Sequence, residues 1–322
     1  MIIMDEFKLI NKIKQTYYRN ASLIKGIGDD AAVFKQTNQS ILTAVDTFVE
    51  NIHFIKDKTM STKQLGYRCL AVNISDLAAM GAVPRFYLVS VVIPRNWEEL
   101  DVLNVFDGLS QLAKKHQMDL IGGDTVSGDT FVLSVTVIGY ADEEKVRYRS
   151  DAKVDDIVFV TGTLGDAGIG LDILLNDLKI NNQSYFINRH QVPEPRVTFA
   201  QLLNKIDRLS LNDISDGLSS ELNEIAKASN VSMMINDKDI PVNKELKKLS
   251  DNQQIKYKYS SGEDFELVGT TSKKNWNQIK QAAKKAGILV TKIGQVVTST
   301  NERVFVDNYN QILKSNGYIH LK

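Results

Sequence analysis

Five stretches of this chain set an aspartate at the end of an apolar run or at the turn into a helix: Gly28-Asp29-Asp30, Val45-Asp46, Ser75-Asp76, Gly123-Asp124 and Asp213-Ile214-Ser215-Asp216. A fold that gathers most of them holds more negative charge than it can tolerate without cations, because ionised carboxylates taken out of water are costly unless paired. No His or Cys accompanies them at metal-ligand spacing, so the ions implied are hard, oxygen-preferring ones, Mg2+ before Zn2+. The pattern points to a magnesium-dependent enzyme that handles phosphates.

The rest of the composition narrows the class. A length of 322 residues suggests two domains, and 43% apolar residues supplies two ordinary cores. Basic and acidic residues balance at 39 each, which favours neither nucleic acid nor an anionic membrane as partner. The single Cys69 leaves no internal disulfide framework and fits a reducing cytoplasm. Asp5, Glu6 and Lys8 interrupt the N-terminal stretch, which therefore does not read as a signal peptide. The longest candidate membrane stretch, Phe86 to Pro94, is far shorter than the ~20 residues that cross a bilayer. A cytoplasmic protein without a membrane partner is expected.

Residues 40 to 49, 86 to 94 and 131 to 140 are rich in β-branched and apolar types and read as strands. A helix is expected from about Thr62 to Met80, stopped by Gly81, and a second from about Trp97 to Gln117 with Leu100, Leu103, Phe106, Leu109 and Leu112 near helical spacing. The charged segment Asp142 to Asp156 lacks apolar period, and places a boundary between residues 1–148 and 149–322. Beyond it, strands at 157–161, 231–235, 265–271 and 289–297 alternate with helices after Asp166, after Asp216 and around 276–286. Two mixed α/β domains follow. Asn73-Ile74-Ser75-Asp76-Leu77 also echoes Asp213-Ile214-Ser215-Asp216-Gly217-Leu218, once per domain, which reads either as an internal duplication or as a chance match of five residues.

Asp76 carries the sharpest argument from spacing. Leu65, Cys69, Val72, Asp76 and Met80 fall on one helical stripe, so the carboxylate faces inward and needs a basic partner, a cation or a proton. Gly28 before Asp29-Asp30 and Gly122-Gly123 before Asp124 read either as plain turns or as places where backbone approaches a ligand. Asp213 or Ser215 could cap the following helix, and a helix start also presents free N–H groups to anions. The same two readings apply to Thr161-Gly162-Thr163-Leu164-Gly165, which lacks the lysine of a Walker loop.

Gly26-Ile27-Gly28-Asp29-Asp30-Ala31-Ala32, Asn51-Ile52-His53-Phe54, the run from Ala71 to Gly81, Leu120-Ile121-Gly122-Gly123-Asp124-Thr125, the run from Val160 to Asp166, Asp213-Ile214-Ser215-Asp216-Gly217-Leu218, Ser261-Gly262-Glu263-Asp264 and Gly317-Tyr318 together resemble the thiamine-monophosphate kinase family across nearly the whole chain. The resemblance implies an α/β (mixed α+β) two-domain fold like that of aminoimidazole ribonucleotide synthetase. It implies an N-terminal ATP/Mg-binding domain that forms a homodimer, and a C-terminal α/β domain that completes the active site. The activity implied is transfer of the ATP γ-phosphoryl group to thiamine monophosphate, giving thiamine diphosphate and ADP. Carried over by position, Asp30, Asp46, Asp76, Asp124, Asp213 and Asp216 would hold several Mg2+ ions. Gly123, Asp124, Arg149 and Ser215 would contact ATP, and His53, Glu263 and Tyr318 the thiamine moiety or its phosphate. One departure stands out: where the family usually carries hydroxyl residues just before Asp46, this chain has Ala44-Val45. The rival readings are a ring-closing, ATP-dependent synthetase of the same fold and a catalytically silent nucleotide-binding relative.

The residues suit that chemistry. A phosphate monoester with a second pKa near ~6 is already anionic at neutral pH, so its attack on ATP needs no acid or base residue. The difficulty is bringing two polyanions together, since unit charges ~4 Å apart repel by roughly 4 kcal/mol at an effective dielectric of ~20. Metal ions between carboxylates and phosphate oxygens would offset that repulsion and align a direct in-line transfer.

Overall fold

The computed structural model describes residues 6–27, 32–35, 38–299, 303–307 and 311–317. It divides into two compact units, Met1–Leu77 with Ala82–Glu143, and Ala78–Gly81 with Glu144–Lys322.

The first unit opens with helix α1 (Glu6–Ile13) and the short strand pair β1 (Leu23–Lys25) and β2 (Val33–Phe34). Its main sheet has the order β3 (Ser40–Val49), β6 (Val132–Ala141), β4 (Val83–Pro94), β5 (Asp119–Gly128), with β4 and β5 parallel and the other pairs antiparallel. Strict alternation in β3 sorts its side chains: Ala44, Asp46 and Phe48 lie on the covered face, and Ile41, Thr43, Val45 and Thr47 on the exposed one. Helix α2 (Thr62–Ala79) provides the cover, with the Cys69 thiol 3.8 Å from the Leu133 carbonyl of β6. Helix α3 (Glu99–Lys115) buries Val102, Val105, Phe106, Leu109 and Leu112. Leu100 was expected on that stripe but is 63% exposed, because the burial line runs through Val102 and Val105 instead.

The described residues of the second unit form a sheet of β7 (Ile157–Thr161), β8 (Ser210–Asp213), β9 (Ser232–Ile235), β10 (Leu267–Thr271), β11 (Val290–Val297), β12 (Val304–Val306) and β13 (Gln311–Ile312). The order across it is β13, β12, β9, β11, β7, β10, β8. β7 is buried along its whole length, as its unbroken Ile-Val-Phe-Val run requires of an interior strand. Helices α4 (Asp166–Asn176), α5 (Gln183–Gln191), α6 (Val197–Leu202), α7 (Leu218–Ala228), α8 (Asp251–Ile255) and α9 (Trp276–Ala286) complete the unit. Leu218, Leu222 and Ile225 of α7 join Val158, Val160 and Val268 in one core.

Two sequence expectations change here. Gly122-Gly123-Asp124, readable as a turn, lies inside β5, where a Cβ on Gly123 would stand 1.9 Å from the Val89 carbonyl oxygen of β4. Only glycine allows the strands to approach that closely. The echoed Asn-Ile-Ser-Asp and Asp-Ile-Ser-Asp segments take different conformations, Asp76 inside α2 and Asp216 in the turn between β8 and α7, so they are not equivalent pieces of a duplicated fold.

Candidate active site

In the first unit the sheet register fixes where the carboxylates stand. Asp46 lies opposite Val135, which lies opposite Val89 and then Gly123, while Thr47, Ser134, Ser90 and Asp124 form the adjacent row. Asp46 is on the face covered by α2, and its charge, after burial itself, helps raise the Cys69 thiol well above its ordinary value. Asp124 is exposed, and the backbone N–H of Thr125 donates to its Oδ1 at 2.9 Å. Asp46 and Asp124 are thus separated by three strand spacings, about 14 Å measured along the sheet. Asp76 is half-buried rather than sealed inside, and from Leu65 to Ala79 it is the one residue of α2 that is not buried. His53 follows β3 in a turn, its Nδ1 accepting the Val49 N–H at 3.1 Å, which fixes Nε2 as the protonated nitrogen. Phe54 anchors that turn edge-on against Trp97 and Phe131. A cavity of about 710 Å3 borders Gly122 to Thr125 and is lined by apolar side chains that include Ile10, Ile13, Phe34, Phe106 and Ile138.

The second unit draws its candidates together. Asp213 ends β8 and is only 3% exposed; Ser215 and Asp216 form the turn that follows, and Asp216 is exposed. The N-cap of α7 is Gly217 without a side-chain cap bond, so neither Asp213 nor Ser215 acts as a cap. The segment from Gly262 to Phe265 lies against this turn: the Glu263 N–H donates to the Ser215 carbonyl at 2.7 Å and the Phe265 N–H to the Ile214 carbonyl at 3.0 Å. A Cβ on Gly262 would come within 2.3 Å of the Ser215 oxygen, and Gly262, Glu263 and Phe265 all have positive φ. Such strain in non-glycine residues persists only where surrounding contacts enforce it, and it concentrates at functional sites. Glu263 Oε2 stands 3.4 Å from His190 Nδ1. Arg149 reaches the same place, its Nε donating to Asn212 Oδ1 at 3.0 Å. Gly317 arrives from the C-terminal side, donating to Ser220 Oγ at 3.1 Å. Asp30 and Tyr318 lie outside the described residues.

The glycine-rich loop after β7 resolves one open reading. The Asp264 carboxylate accepts from Gly165 N at 2.7 Å and Ala167 N at 3.2 Å, so the start of α4 is occupied by a side chain of the protein itself rather than open to phosphate. Burial, then the charge of Asp166, push the Asp264 carboxyl up to about 7 against those backbone bonds. Glu266, fully buried, accepts from Thr161 Oγ1 at 2.6 Å, Arg196 Nε at 2.7 Å and Arg189 Nη2 at 2.8 Å. Burial raises its pKa, but Arg196 and Arg189 outweigh that and hold it below the ordinary carboxylate range.

Residues 28–141 match the family model for the AIR synthase related protein N-terminal domain, and residues 153–307 that for the C-terminal domain. The thiamine-monophosphate kinase of Bacillus subtilis (strain 168) is 46% identical over 99% of this chain and 100% of its own length. This chain belongs to the thiamine-monophosphate kinase family. Among solved structures, the thiamine-monophosphate kinase from Stenotrophomonas maltophilia K279a superposes with a TM-score of 0.84 at 30% identity, over 97% of this chain and 98% of that one. AaThiL complexed with AMPPCP and TMP gives a TM-score of 0.76 at 29% identity, over 99% and 100%.

Sequence reasoning from the thiamine-monophosphate kinase motifs missed two residues of this site, Asn212 and Glu221. Asn212 Nδ2 donates to Glu221 Oε2, and Glu221 Oε1 accepts from Asp216 N at 3.1 Å and Ser215 Oγ at 3.4 Å. Burial, with the Asp213 charge next, pushes the Glu221 carboxyl up to about 8. A signal was present: Leu218, Glu221, Leu222 and Ile225 follow helical stripe spacing, so Glu221 is a carboxylate on an apolar stripe, as Asp76 is.

Proposed function

We propose that this protein transfers the γ-phosphoryl group of ATP to thiamine monophosphate, giving thiamine diphosphate and ADP, as a magnesium-dependent homodimer in the cytoplasm. Full-length identity of 46% to a thiamine-monophosphate kinase carries this reading, and a related structure holds AMPPCP, an ATP analogue, together with TMP. A phosphate oxygen of thiamine monophosphate forms the new bond to the γ-phosphorus as the bond to the β-phosphate oxygen breaks and ADP leaves.

The donors offered by this chain fit Mg2+. Asp46, Asp76, Asp124, Asp213 and Asp216 present carboxylate oxygens, and Asp76, Asp124 and Asp216 are open enough to be reached. Among the described residues no three His, Cys, Asp or Glu come together as a metal site. Mg2+ would therefore rest on one or two of these carboxylates and complete its shell with waters and substrate phosphates. When bound, Mg2+ would offset the repulsion between the two phosphate chains.

The remaining roles belong to the protein. The Arg149 guanidinium would donate to ATP phosphate oxygens and Ser215 would add its hydroxyl. Glu263 would set a carboxylate beside the cationic thiazolium, and His53 would offer its Nε2 proton. The cavity beside Gly123 and Asp124, with its mixed apolar and polar lining, suits a nucleobase next to its phosphates. Asp30 and Tyr318 retain the roles the motifs imply. Mixing the protein with ATP, Mg2+ and thiamine monophosphate should yield thiamine diphosphate and ADP in equal amounts, and excess EDTA should stop it. No thiamine diphosphate would overturn the activity; undiminished turnover in EDTA would overturn the metal.

A further inference from the structure

We infer that Asn212 and Glu221 act together as a positioning relay that couples the aim of Arg149 to the conformation of the Ser215-Asp216 turn. The inference rests on the kinase reading for the role of Arg149, but the relay itself is visible in the hydrogen bonds. Arg149 Nε donates to Asn212 Oδ1 at 3.0 Å, Asn212 Nδ2 donates to Glu221 Oε2, and Glu221 Oε1 receives the Asp216 N–H at 3.1 Å. Asn212 and Glu221 are 3% and 4% exposed, so water offers neither of them a ready substitute partner.

The relay has a fixed polarity. An asparagine offers one acceptor and one donor end, and here the acceptor faces a guanidinium while the donor faces a carboxylate. Only one orientation of the Asn212 amide satisfies both neighbours. Two further bonds tie the Arg149 backbone to the same region, Ser229 Oγ and Ser210 Oγ donating to its carbonyl at 2.7 and 3.2 Å. The backbone is therefore held independently; on the guanidinium itself Glu224 Oε2 stands 4.0 Å from Nη1, and the relay sets the direction of Nε.

Reversing one link sends the conflict to the other end. A glutamine at position 221 can still accept from Asp216 N, but it then points an amide N–H at the Asn212 N–H. Turning Asn212 over relieves that clash and sets its N–H against Arg149 Nε. Either way the guanidinium loses its acceptor or the turn loses its anchor.

The test combines affinity, kinetics and a double-mutant cycle. Glu221→Gln should weaken AMPPCP binding in the presence of Mg2+, measured by calorimetry, at least tenfold and raise KM for ATP by a similar factor, with KM for thiamine monophosphate changed less than twofold. Glu221→Asp, which keeps a carboxyl group in place of an amide, should recover most of the loss. In an Arg149→Ala background Glu221→Gln should cost clearly less than it does in wild type, because the share of its effect that passes through Arg149 is gone and only the anchoring of the Ser215-Asp216 turn remains. Full additivity of the two substitutions, or wild-type AMPPCP affinity in Glu221→Gln, would overturn the relay. Should Glu221→Gln not fold, Asn212→Ala breaks both links and is judged by the same cycle. Calorimetry keeps the test separate from the activity: a wild-type protein that binds AMPPCP but makes no thiamine diphosphate fails the kinase reading and leaves the relay standing or falling on binding alone.

Discussion

A carboxylate on an apolar helical stripe is the most informative residue this chain offers, and it occurs twice. Asp76 announced itself by spacing, and the structure shows why it stands there: it is the opening in a helix otherwise buried from Leu65 to Ala79. Glu221 obeys the same rule on α7 and anchors the turn that carries Ser215 and Asp216. Asp264 is a buried carboxylate that no periodicity marks, because it lies in an irregular segment and is recognised only by the backbone N–H groups it accepts from across the unit. Its titration can be tested. Burial raises its pKa from 3.8 to about 7, so the folded chain holds this proton more tightly than the unfolded one. The stability it contributes is therefore complete below about pH 4 and drains away as pH rises through about 7. Thermal melts of wild type and Asp264→Asn should show the Tm difference, wild type minus variant, falling between pH 4.5 and 8. A flat difference across that range would mean the group does not titrate there.

At the scale of elements, period-2 and continuous apolar runs were read well. β7 and α9 span 157–161 and 276–286, as their patterns require. Reading failed where glycine masks a strand: β5 carries Gly122 and Gly123 in its middle, and local chemistry alone cannot tell a close strand approach from a turn, since the reason for the glycine is the Val89 carbonyl on another strand. Short elements such as α6 and β8 were missed because four to six residues carry too little period to detect. The segment from Gly262 to Phe265 shows how one such irregular element makes a site. Its N–H groups bond the backbone of Ile214 and Ser215, and this brings Glu263 to the Ser215-Asp216 turn. Gly262→Ala should break that approach, since the added methyl would sit 2.3 Å from the Ser215 oxygen at a φ of +64°. The left-handed conformation alone costs about 1 kcal/mol or more, and relief of the clash must move the strained turn. We expect a lowered Tm and a kcat/KM for thiamine monophosphate reduced about tenfold or more. Wild-type kinetics in this variant would show that Glu263 needs no such fixed approach.

At the scale of the whole molecule, the second face of the four-stranded sheet is covered unevenly: Leu23, Ala32 and Phe34 pack on Phe86, Leu88, Ile138 and Tyr140, while its β3 end stays open. Its first face is closed by α2, yet β3 leaves Val45 60% and Ile41 51% exposed, and Val126 of β5 is 46% exposed. Farther along this face Leu88, Ser90 and Ile138 border the cavity beside Asp124, so the open part is the β3 end, where Thr43 and Thr47 flank Val45. Apolar side chains in such a contiguous array mark an interaction surface more often than a solvated one. A twofold pairing of two such faces would bury these residues and suits the homodimer proposed for this family member, since a face that pairs with itself gives a closed assembly. An introduced charge would then meet its own copy or bare hydrocarbon across the axis, a penalty that no local rearrangement of a flat strand relieves. Val45→Asp should therefore turn a dimer into a monomer in analytical ultracentrifugation at micromolar concentration. Because Val45 points away from the α2 core, each chain should keep its far-ultraviolet dichroism. A variant that sediments as the wild-type dimer would place the interface elsewhere, and a wild type that sediments as a monomer would leave this face without its proposed partner.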